Sequence, residues 1–410
     1  MFTIGATRKG SDVHQVIWQI HYRRMCWRDS VMTRMAYRGW EGNIVQLPKS
    51  STRAVAGLPD RYSVDNHSFS PLNPSLSSRT SEGLSVHVLY IAGFGRSGST
   101  LLDRLLGSTS KVHSGGEIGG VWTLGLVNDR LCSCGAKFSS CPFWRAVGAA
   151  SFSSLQVGEV TDIAKYFRKT FPARRMWRII FRRSRRKMMD SAPKNFSDTT
   201  ARLYRGLRDV SSSPVVVDSS KLATYLVMLA QVPSLDIQVV HLVRDPRAVA
   251  HSWQRPRITD PDGRSTMSRI GAAKSAILWT LMNGIVEWIS WRLGLPYIRI
   301  RYEDLVKDPA QTAGRLRLDV LREADLYFDE AGQVGEGDVN LGVTHMISGN
   351  PMRFQQGRTP IIEDDDWKSG PWSRRAMVAA ITFPLLKRYG YRGLSLSKSL
   401  FWPIIILEIG

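Results

Sequence analysis

The chain has 410 residues, of which 43% are hydrophobic, enough for one α/β domain with extensions or for about two to three smaller domains. Its 56 Lys and Arg outnumber its 35 Asp and Glu, which gives a net charge of +21, and it contains 4 cysteines. So few cysteines exclude a small disulfide-stapled scaffold. The positive charge predicts an anionic partner: nucleic acid, a membrane face, or a ligand that carries phosphate or sulfate.

The chain shows no targeting or membrane-spanning pattern. Residues 1–15 lack the charged and then apolar regions of a secretory signal. The longest late apolar run, residues 401–407, falls well short of the ~18 consecutive apolar residues of a membrane span. We therefore expect a cytoplasmic protein, with peripheral contact at a membrane left open.

Residues 1–84 differ in composition from the rest of the chain. Residues 48–83 are rich in Ser, Pro and Asn without apolar periodicity, which predicts a flexible linker. Residues 13–40 form either a basic amphipathic helix or a segment without fixed structure. We expect a basic, flexible extension over residues 1–84. A main domain over residues 85–393, with a basic helical insertion around residues 160–210, and a tail over residues 394–410 would follow.

Strand and helix patterns alternate from residue 86 onward. The run VHVLYIAG is a buried-strand pattern, and the leucines that follow its glycine loop recur at helical spacing. Strand and helix patterns follow one another again at residues 214–218 and 222–230, and at 237–243 and 246–253. Residues 297–302 predict a further strand, and residues 376–389 a helix. This alternation predicts an α/β, P-loop-like three-layer fold, with a central, mostly parallel sheet flanked by helices.

A glycine-rich loop follows the first predicted strand. In GFGRSGST, residues 93–100, small residues let backbone amides turn inward, and the next helix directs its positive end to the same point. The spacing nearly matches the nucleotide-triphosphate loop G-x-x-x-x-G-K-[ST], but Ser99 stands at the lysine position. The cation is Arg96 instead. The loop is therefore either an anion cradle or a plain glycine turn.

A second anion site is predicted after the third strand. In HLVRDPRAVAHSW, Arg244 lies at the start of a predicted helix and Ser252 about two turns along it. Both would then border a ligand at the carboxyl edge of the sheet. Two separated anion sites suggest a ligand that is phosphorylated at two places.

These motifs together resemble the sulfotransferase superfamily, whose donor is 3′-phosphoadenosine 5′-phosphosulfate (PAPS). GRSGSTLL is similar to the family's 5′-phosphosulfate loop, VRDPRAVAHS to its 3′-phosphate motif, and RYEDLVKDP to its YED segment. LCSCGAKFSSCPFW, VVVDSSKLATYL, GNPMRFQQG and PLLKRYGYRG are similar to bacterial members. The resemblance covers about residues 86–393, and residues 1–84 have no counterpart in the family's pattern.

The resemblance implies a role for each matching residue. Arg244 and Ser252 would hold the 3′-phosphate, Tyr302 would border the adenine, and Arg353 matches a late basic loop that closes over the 3′-phosphate. The 5′-phosphosulfate would be bound by Arg96, Ser97, Gly98, Ser99, Thr100 and Leu101. The family's transfer requires no metal ion, and we expect none.

The same resemblance implies the catalytic residues, which are Glu117, Lys221 and Arg96. Cytosolic relatives use a histidine base, but no histidine lies between His113 and His241. Glu117 in HSGGEIGG resembles the glutamate base of other members, although it could simply cap or pair locally. Lys221 resembles the lysine near the bridging oxygen of the sulfate, and its alternative is a surface pair with Asp218. His113 and His251 are secondary candidates for the base.

Three cysteines lie close together in the sequence. Cys132, Cys134 and Cys141 form C-x-C-x6-C, which lacks both a fourth nearby ligand and the paired C-x-x-C spacing of zinc sites. This spacing favours local packing or a redox-sensitive pair over a metal.

A strongly basic segment begins at Lys165 and ends at Lys187. It reads KYFRKTFPARRMWRIIFRRSRRK, with 11 Lys and Arg and no acidic residue. Aromatic residues interleave with the cations, as on membrane-surface or nucleic-acid-binding segments, and residues from Arg174 onward predict a basic helix. A merely solvated face is the alternative. Contact with an anionic acceptor or an anionic membrane is favoured over nucleic acid.

The sequence thus predicts a PAPS-dependent sulfotransferase that acts on a hydroxyl, or less readily an amine, of a carbohydrate, lipid, peptide or small metabolite. A P-loop kinase or NTPase is the alternative within enzymes, but Ser99 and the missing magnesium set count against it. A basic non-catalytic membrane- or nucleic-acid-binding protein would leave both anion motifs unexplained.

Overall fold

A computed structural model of the chain describes residues 85–109, 111–152, 157–171, 178–256, 266–309, 311–312, 314, 316, 334–335 and 338–392. The extension, linker and helix predicted within residues 1–84 lie outside the described residues, as does the tail predicted at residues 394–410. The predicted domain boundaries therefore stay predictions.

The centre of the fold is a five-stranded parallel sheet in the order β2-β3-β1-β4-β5. Its strands are β1 Val86–Ala92, β2 Val112–Ser114, β3 Val215–Lys221, β4 Leu235–Val243 and β5 Tyr297–Arg301. β1 is the middle strand, and all of its residues except His87 are buried. Such burial requires apolar residues on both faces of the sheet, which is why the strand reads as a continuous hydrophobic run.

Helices cover both faces of the sheet. They are α1 Ser99–Leu106, α2 Pro142–Phe152, α3 Val157–Thr170, α4 Arg182–Asp190, α5 Phe196–Ser211, α6 Ala223–Leu229, α7 Pro246–Gln254, α8 Ala272–Leu293, α9 Tyr302–Lys307 and α10 Trp372–Arg388. Leu89 and Ile91 of β1 pack in one core with α1 and α9. Val88 and Tyr90 pack in a second core with α5, α6 and α8. The predicted three-layer α/β fold is therefore confirmed.

A small antiparallel sheet lies beyond the main one. It consists of β6 Val334–Gly335, β7 Asp338–Leu341 and β8 Gly357–Pro360. The connection between β7 and β8 is fixed to α1 by Arg104, which is 2% exposed. Its guanidinium donates to the carbonyl of Met352 at 2.5 Å and to that of Gly342 at 2.7 Å. Arg104 therefore sets the position of this connection against the first helix.

The basic segment is partly core and partly surface. Tyr166, Phe167 and Phe171 are each less than 8% exposed and pack in the main core, so their interpretation as surface aromatics is wrong. α4 is different, because it buries none of its residues and carries five of the 11 Lys and Arg of the basic segment. Residues 172–177 lie outside the described part. Among the described helices, none is both long and apolar enough to cross a bilayer.

Candidate active site

The glycine loop follows β1 at the carboxyl edge of the sheet, and two of its positions admit only glycine. Gly93 has φ +140°, and a Cβ there would lie 2.4 Å from the Leu242 carbonyl oxygen. Gly98 has φ +91°, and a Cβ there would lie 2.4 Å from the Tyr302 ring. No side chain caps the α1 N-terminus that follows, so its first amides face the loop with the positive end of the helix dipole.

Arg96 is held in a strained, specific position within this loop. Its φ of +72° is costly for a residue with a Cβ. Its guanidinium lies 4.9 Å from the ring centroid of Trp253, and its carbonyl accepts a hydrogen bond from Arg244 at 3.2 Å. The neighbouring Ser97 hydroxyl is buried, with no hydrogen-bond partner among the described residues. A buried donor of this kind fits an oxygen-rich anion and argues against a plain turn.

The second predicted anion site adjoins the first. Arg244 is 6% exposed and stacks on the Tyr302 ring at 4.3 Å, while its Nε finds no partner in the described structure. Its outer nitrogen pairs with Asp364 at 3.2 Å. Ser252 is buried on α7, whose Trp253 packs against the loop at Phe94. A cleft of about 510 Å³ opens beside Arg244 and Tyr302, large enough for a nucleotide-sized ligand.

Lys221 and Glu117 form an ion pair on the other side of β1. Lys221 ends β3 with φ +69° and is the register partner of Ala92, directly before the loop. Its ammonium is hydrogen-bonded to the Glu117 carboxylate, and it donates to the Ser219 carbonyl at 2.9 Å. The alternative pairing with Asp218 is wrong. The Asp218 carboxylate instead accepts from the Tyr204 hydroxyl at 2.5 Å and the Ser220 amide at 2.8 Å.

Glu117 is poised as a carboxylate. Burial alone would raise its pKa, but the ion pair and hydrogen bond from Lys221 and the hydrogen bond from Ser348 together lower the pKa below its ordinary value. The Ser348 hydroxyl donates to the second carboxylate oxygen at 2.7 Å. Glu117 is therefore ionised at neutral pH, and its side chain, 27% exposed, still reaches solvent.

Asp218 supports the turn that carries Glu117, a role that the sequence did not indicate. It is fully buried, and burial raises its pKa to about 6. It accepts from the amide of Ile118, next to Glu117, at 3.3 Å, and from the Ser220 hydroxyl at 2.5 Å. Ser220 in turn accepts from the Gly119 amide at 2.9 Å. Asp218 thereby fixes the turn that presents Glu117.

Arg353 reaches the site through the connection between β7 and β8. It is 2% exposed, and its guanidinium donates to the Gly349 carbonyl at 3.1 Å. The Asn350 amide donates to the Thr100 hydroxyl at 3.1 Å, which joins this connection to the start of α1. The positive charge of Arg353 helps to lower the pKa of Glu117. Arg353 thus lies between the predicted donor loop and the predicted base.

The two histidines proposed as secondary bases have other surroundings. Burial lowers the pKa of His113 to about 3, and its ring stacks on Phe143 with centroids 5.0 Å apart. Burial and the charge of Arg255 lower the pKa of His251, whose Nε2 lies 2.7 Å from the Arg255 guanidinium. Within the described residues, neither histidine is hydrogen-bonded to Glu117 or Lys221.

The fourth potential ligand that the sequence around the three cysteines lacks is supplied in the fold by a distant residue. His345, which is 204 residues beyond Cys141, contributes a ring nitrogen to the same cluster. Residues so far apart in sequence meet only through the tertiary fold, so their spacing along the chain carries no signal for the site.

Asp103 on α1 makes the stability of the fold depend on pH. It is fully buried, and burial raises its pKa from 3.8 to about 7, although Ser114 donates to it at 2.7 Å. Its favourable contribution is therefore complete below pH 3.8 and is lost as the pH rises through about 7.

We expect Asp103→Asn to be more stable than the wild type at about pH 8. Its free energy of unfolding should be higher by up to about 4 kcal/mol, at about 1.36 kcal/mol per pKa unit, so it should unfold at a higher urea concentration. The gain should shrink as the pH falls toward about 4. Urea unfolding at several pH values measures it, with Asp209→Asn as the control at an exposed site. Parallel pH profiles for the wild type and Asp103→Asn would contradict the expectation.

The sequence comparison yields a partial match. No protein-family model matches the chain. Carbohydrate sulfotransferase 2 of Homo sapiens is 30% identical over 126 residues, a match that covers 22% of this chain and 24% of that protein. Carbohydrate sulfotransferase 2 of Mus musculus gives the same identity and coverage. The chain resembles sulfotransferases. The predicted resemblance is thereby confirmed, although the match spans about a quarter of the length of these sulfotransferases.

Two solved sulfotransferase domains also match. The sulfotransferase domain of the Synechococcus PCC 7002 olefin synthase is 18% identical, with 75% of this chain and 96% of that chain covered and a TM-score of 0.41. The sulfotransferase domain of the curacin biosynthetic pathway is 18% identical, with 76% and 99% covered and a TM-score of 0.41.

Proposed function

We propose that the chain is a PAPS-dependent sulfotransferase that moves a sulfuryl group to a hydroxyl, or less readily an amine, of an acceptor. The observation that carries the proposal is the ion pair of Glu117 and Lys221 directly beside the anion loop. A general base and a cation next to a phosphate cradle are the groups that such a transfer needs.

The donor-binding residues are those at the carboxyl edge of β1 and β4. The loop amides and Arg96 would hold the 5′-phosphosulfate, with Ser97, Gly98, Ser99, Thr100 and Leu101. Arg244 and Ser252 would hold the 3′-phosphate, and Tyr302 would border the adenine. Arg353, which lies between the loop and Glu117, would also bind the donor. The unpartnered Ser97 hydroxyl and Arg244 Nε fit such a doubly anionic ligand, because each is a buried donor.

The chemistry divides between Glu117 and the cations. PAPS, when bound, supplies a sulfuryl group whose bond to the phosphate oxygen breaks as the acceptor oxygen bonds to sulfur. Glu117 takes the proton of the acceptor hydroxyl, for which it must first be ionised, as its lowered pKa ensures. Lys221 and Arg96 stabilise the negative charge that develops on the leaving phosphate oxygen. The residues proposed for these roles require no metal.

Calorimetry with two nucleotides tests this assignment. Adenosine 3′,5′-bisphosphate should bind the full chain at least about 10-fold more tightly than ATP, because a charge-assisted hydrogen bond is worth about 1.5–3 kcal/mol. A kinase or NTPase would show the reverse preference, and equal affinities would contradict both enzymes. The carbohydrate named in the matched relatives makes sugar hydroxyls the first acceptors to assay, ahead of lipids and small metabolites.

We further propose that the protein is cytoplasmic and that α4 contacts an anionic membrane surface. α4 buries none of its residues, its cations Arg182, Arg183, Arg186 and Lys187 are exposed, and Ile180 and Phe181 directly before it are 44% and 54% exposed. Cations beside exposed apolar side chains are the combination that binds at the surface of an anionic bilayer.

We expect the protein to sediment with phosphatidylserine-containing vesicles at low salt, less at moderate salt, and not with phosphatidylcholine alone. Reversing the charges of Arg182, Arg183 and Arg186 should abolish sedimentation. Arg185 is left intact because it donates to the Ile179 carbonyl and stacks over Trp288. The matched control reverses the exposed cations Arg145, Lys194 and Lys307. Binding to RNA but not to vesicles would contradict the membrane proposal.

A further inference from the structure

Four potential metal ligands that the proposed transfer does not use lie together beside α2. They are Cys132, Cys134, Cys141 and His345, and one donor atom from each lies within 4.8 Å of all the others. Cys132, Cys141 and His345 are buried, and Cys134 is partly buried. The three thiols are not bridged as disulfides.

The distances within this cysteine–histidine cluster match those around a single tetrahedral ion. The Sγ of Cys141 lies 3.6 Å from that of Cys134 and 3.7 Å from that of Cys132. The Nδ1 of His345 lies 3.6 Å from the Cys132 sulfur and 3.3 Å from the Cys141 sulfur. With Zn–S bonds of about 2.3 Å and Zn–N bonds of about 2.0–2.1 Å, tetrahedral geometry separates neighbouring sulfurs by about 3.8 Å and sulfur from nitrogen by about 3.5 Å.

The backbone holds the first two cysteines in a tight turn. The Cys132 amide donates to the Ala136 carbonyl at 2.8 Å, and the Gly135 amide donates back to the Cys132 carbonyl at 2.9 Å. Gly135 has φ +91°, which residues with a Cβ rarely adopt. The turn directs the thiols of Cys132 and Cys134 to one point without help from the thiols themselves.

The third cysteine lies at the start of α2. The Arg145 amide donates to the Cys141 carbonyl at 3.0 Å, so Cys141 directly precedes the first turn of the helix. The positive end of the helix dipole favours a thiolate there. A thiolate is the form of cysteine that binds a metal ion.

The histidine is fixed by contacts that leave Nδ1 directed at the thiols. Its ring lies parallel to that of Phe143, with an interplanar angle of 7° and centroids 4.6 Å apart. Its carbonyl accepts from the Trp144 indole at 2.7 Å. Ser133, between the two turn cysteines, donates its amide to the Met346 carbonyl at 2.8 Å and its hydroxyl to the Thr344 carbonyl at 2.6 Å. These hydrogen bonds hold residues 132–134 beside residues 344–346.

We propose that these four residues form a structural zinc site. Three thiolates and one imidazole in a tetrahedral arrangement are a typical zinc ligand set. Four protein ligands leave no open position, so the ion would be structural and not catalytic. Donor atoms that all lie within 4.8 Å of one another enclose one ion and leave no room for an iron–sulfur cluster. Binding releases one proton from each of the three thiols.

Zinc at this position would stabilise the connection that carries Ser348 and Arg353. His345 lies three residues before Ser348, the hydrogen-bond donor to Glu117. The ion would tie this connection to the cysteine turn, while Arg104 ties its other part to α1. The site therefore supports the position of Glu117 and its neighbours without touching the substrate.

The first test is the zinc content of the untagged full chain, purified with a thiol reductant and measured by mass spectrometry. We expect about one equivalent in the wild type, and about a tenth of that or less in Cys132→Ser, Cys141→Ser and His345→Asn. The matched controls are Cys26→Ser, for the remaining cysteine, and His87→Asn, for an exposed histidine that pairs with Asp236. Both controls should keep about one equivalent.

A second test needs no variant, so it holds even where a substitution prevents folding. The wild-type zinc is removed by a chelator under reducing conditions and replaced with Co²⁺. Tetrahedral cobalt with thiolate ligands should appear as ligand-field bands and a sulfur-to-cobalt charge-transfer band, saturating at one equivalent and displaced by zinc.

Three outcomes would overturn the zinc site. One is a reduced wild type that holds little zinc and shows no cobalt–thiolate bands. A second is a zinc content that Cys132→Ser and His345→Asn leave unchanged. The third is a disulfide within the cluster: two of its three thiols would then react in a thiol titration only after the protein has been reduced. None of these readouts depends on sulfuryl transfer.

Discussion

Glu117→Gln is expected to lower kcat for sulfuryl transfer by about 10²–10⁴-fold, the usual contribution of a positioned general base. Glutamine has the shape of glutamate. Its carbonyl oxygen can accept from Lys221 while its amide group donates to the Ser348 hydroxyl, so the site should keep its geometry. It cannot take the proton of the acceptor. The affinity for adenosine 3′,5′-bisphosphate, measured by calorimetry, should therefore stay within about 2-fold of the wild type.

The matched control for this variant is Glu287→Gln. Glu287 also pairs with cations, at 2.7 Å from Arg299 and 3.1 Å from Arg388, but on α8 and away from the loop. Its kcat should equal that of the wild type. Turnover at the wild-type rate in Glu117→Gln would remove Glu117 from the mechanism.

The pH dependence of kcat/KM separates a glutamate base from a histidine base. The pKa of Glu117 lies below its ordinary value of 4.5, and the base acts only when it is ionised. The wild-type kcat/KM should therefore stay flat as the pH falls from about 7 to about 5. A decline with a midpoint near about 6.5 would point to a histidine instead.

Arg244→Ala is expected to abolish the preference for adenosine 3′,5′-bisphosphate over AMP, with a loss of about 10- to 150-fold in bisphosphate affinity, the equivalent of about 1.5–3 kcal/mol. Arg244 is the buried guanidinium beside Tyr302, and its Nε has no partner among the described residues. AMP lacks the 3′-phosphate, so its affinity should change little and serves as the internal measure of an intact site.

Two further variants sharpen this result. Arg244→Lys keeps the charge but loses the planar stack on Tyr302 and the fork of donors, so it should recover only part of the affinity. Arg208→Ala removes an arginine that pairs with Asp209 on α5, and it should bind both nucleotides as the wild type does. A bisphosphate preference that survives in Arg244→Ala would place the 3′-phosphate elsewhere.

The fold was largely predictable where burial leaves a mark on the sequence. β1 and the buried end of β4 are mostly apolar because both of their faces are covered, and the glycines after β1 mark a turn that excludes a Cβ. β2 was not predicted, because it has only three residues. α8 was missed as well. Its apolar residues are not confined to one stripe, since Ile277 and Leu281 are 49% and 46% exposed.

The candidate site was predictable only in part. The sequence indicated Glu117 and Lys221 through a resemblance, but not that they pair with each other across 104 residues of chain. Ser348, Asp364 and His345 reach their partners from irregular segments, in which no periodicity records the direction of a side chain. Only tertiary contacts define these three positions.

The connection between β7 and β8 has a consequence for engineering this scaffold. Within residues 342–354 it contacts the cysteine turn, the Glu117 carboxylate, the hydroxyl of Thr100 and the guanidinium of Arg104. A chimaera that exchanges the glycine loop or the glutamate turn between proteins, but not residues 342–354, would lack the backbone contacts that position the exchanged side chains. Specificity swaps should therefore treat residues 93–106, 112–120 and 342–354 as one transplantable unit.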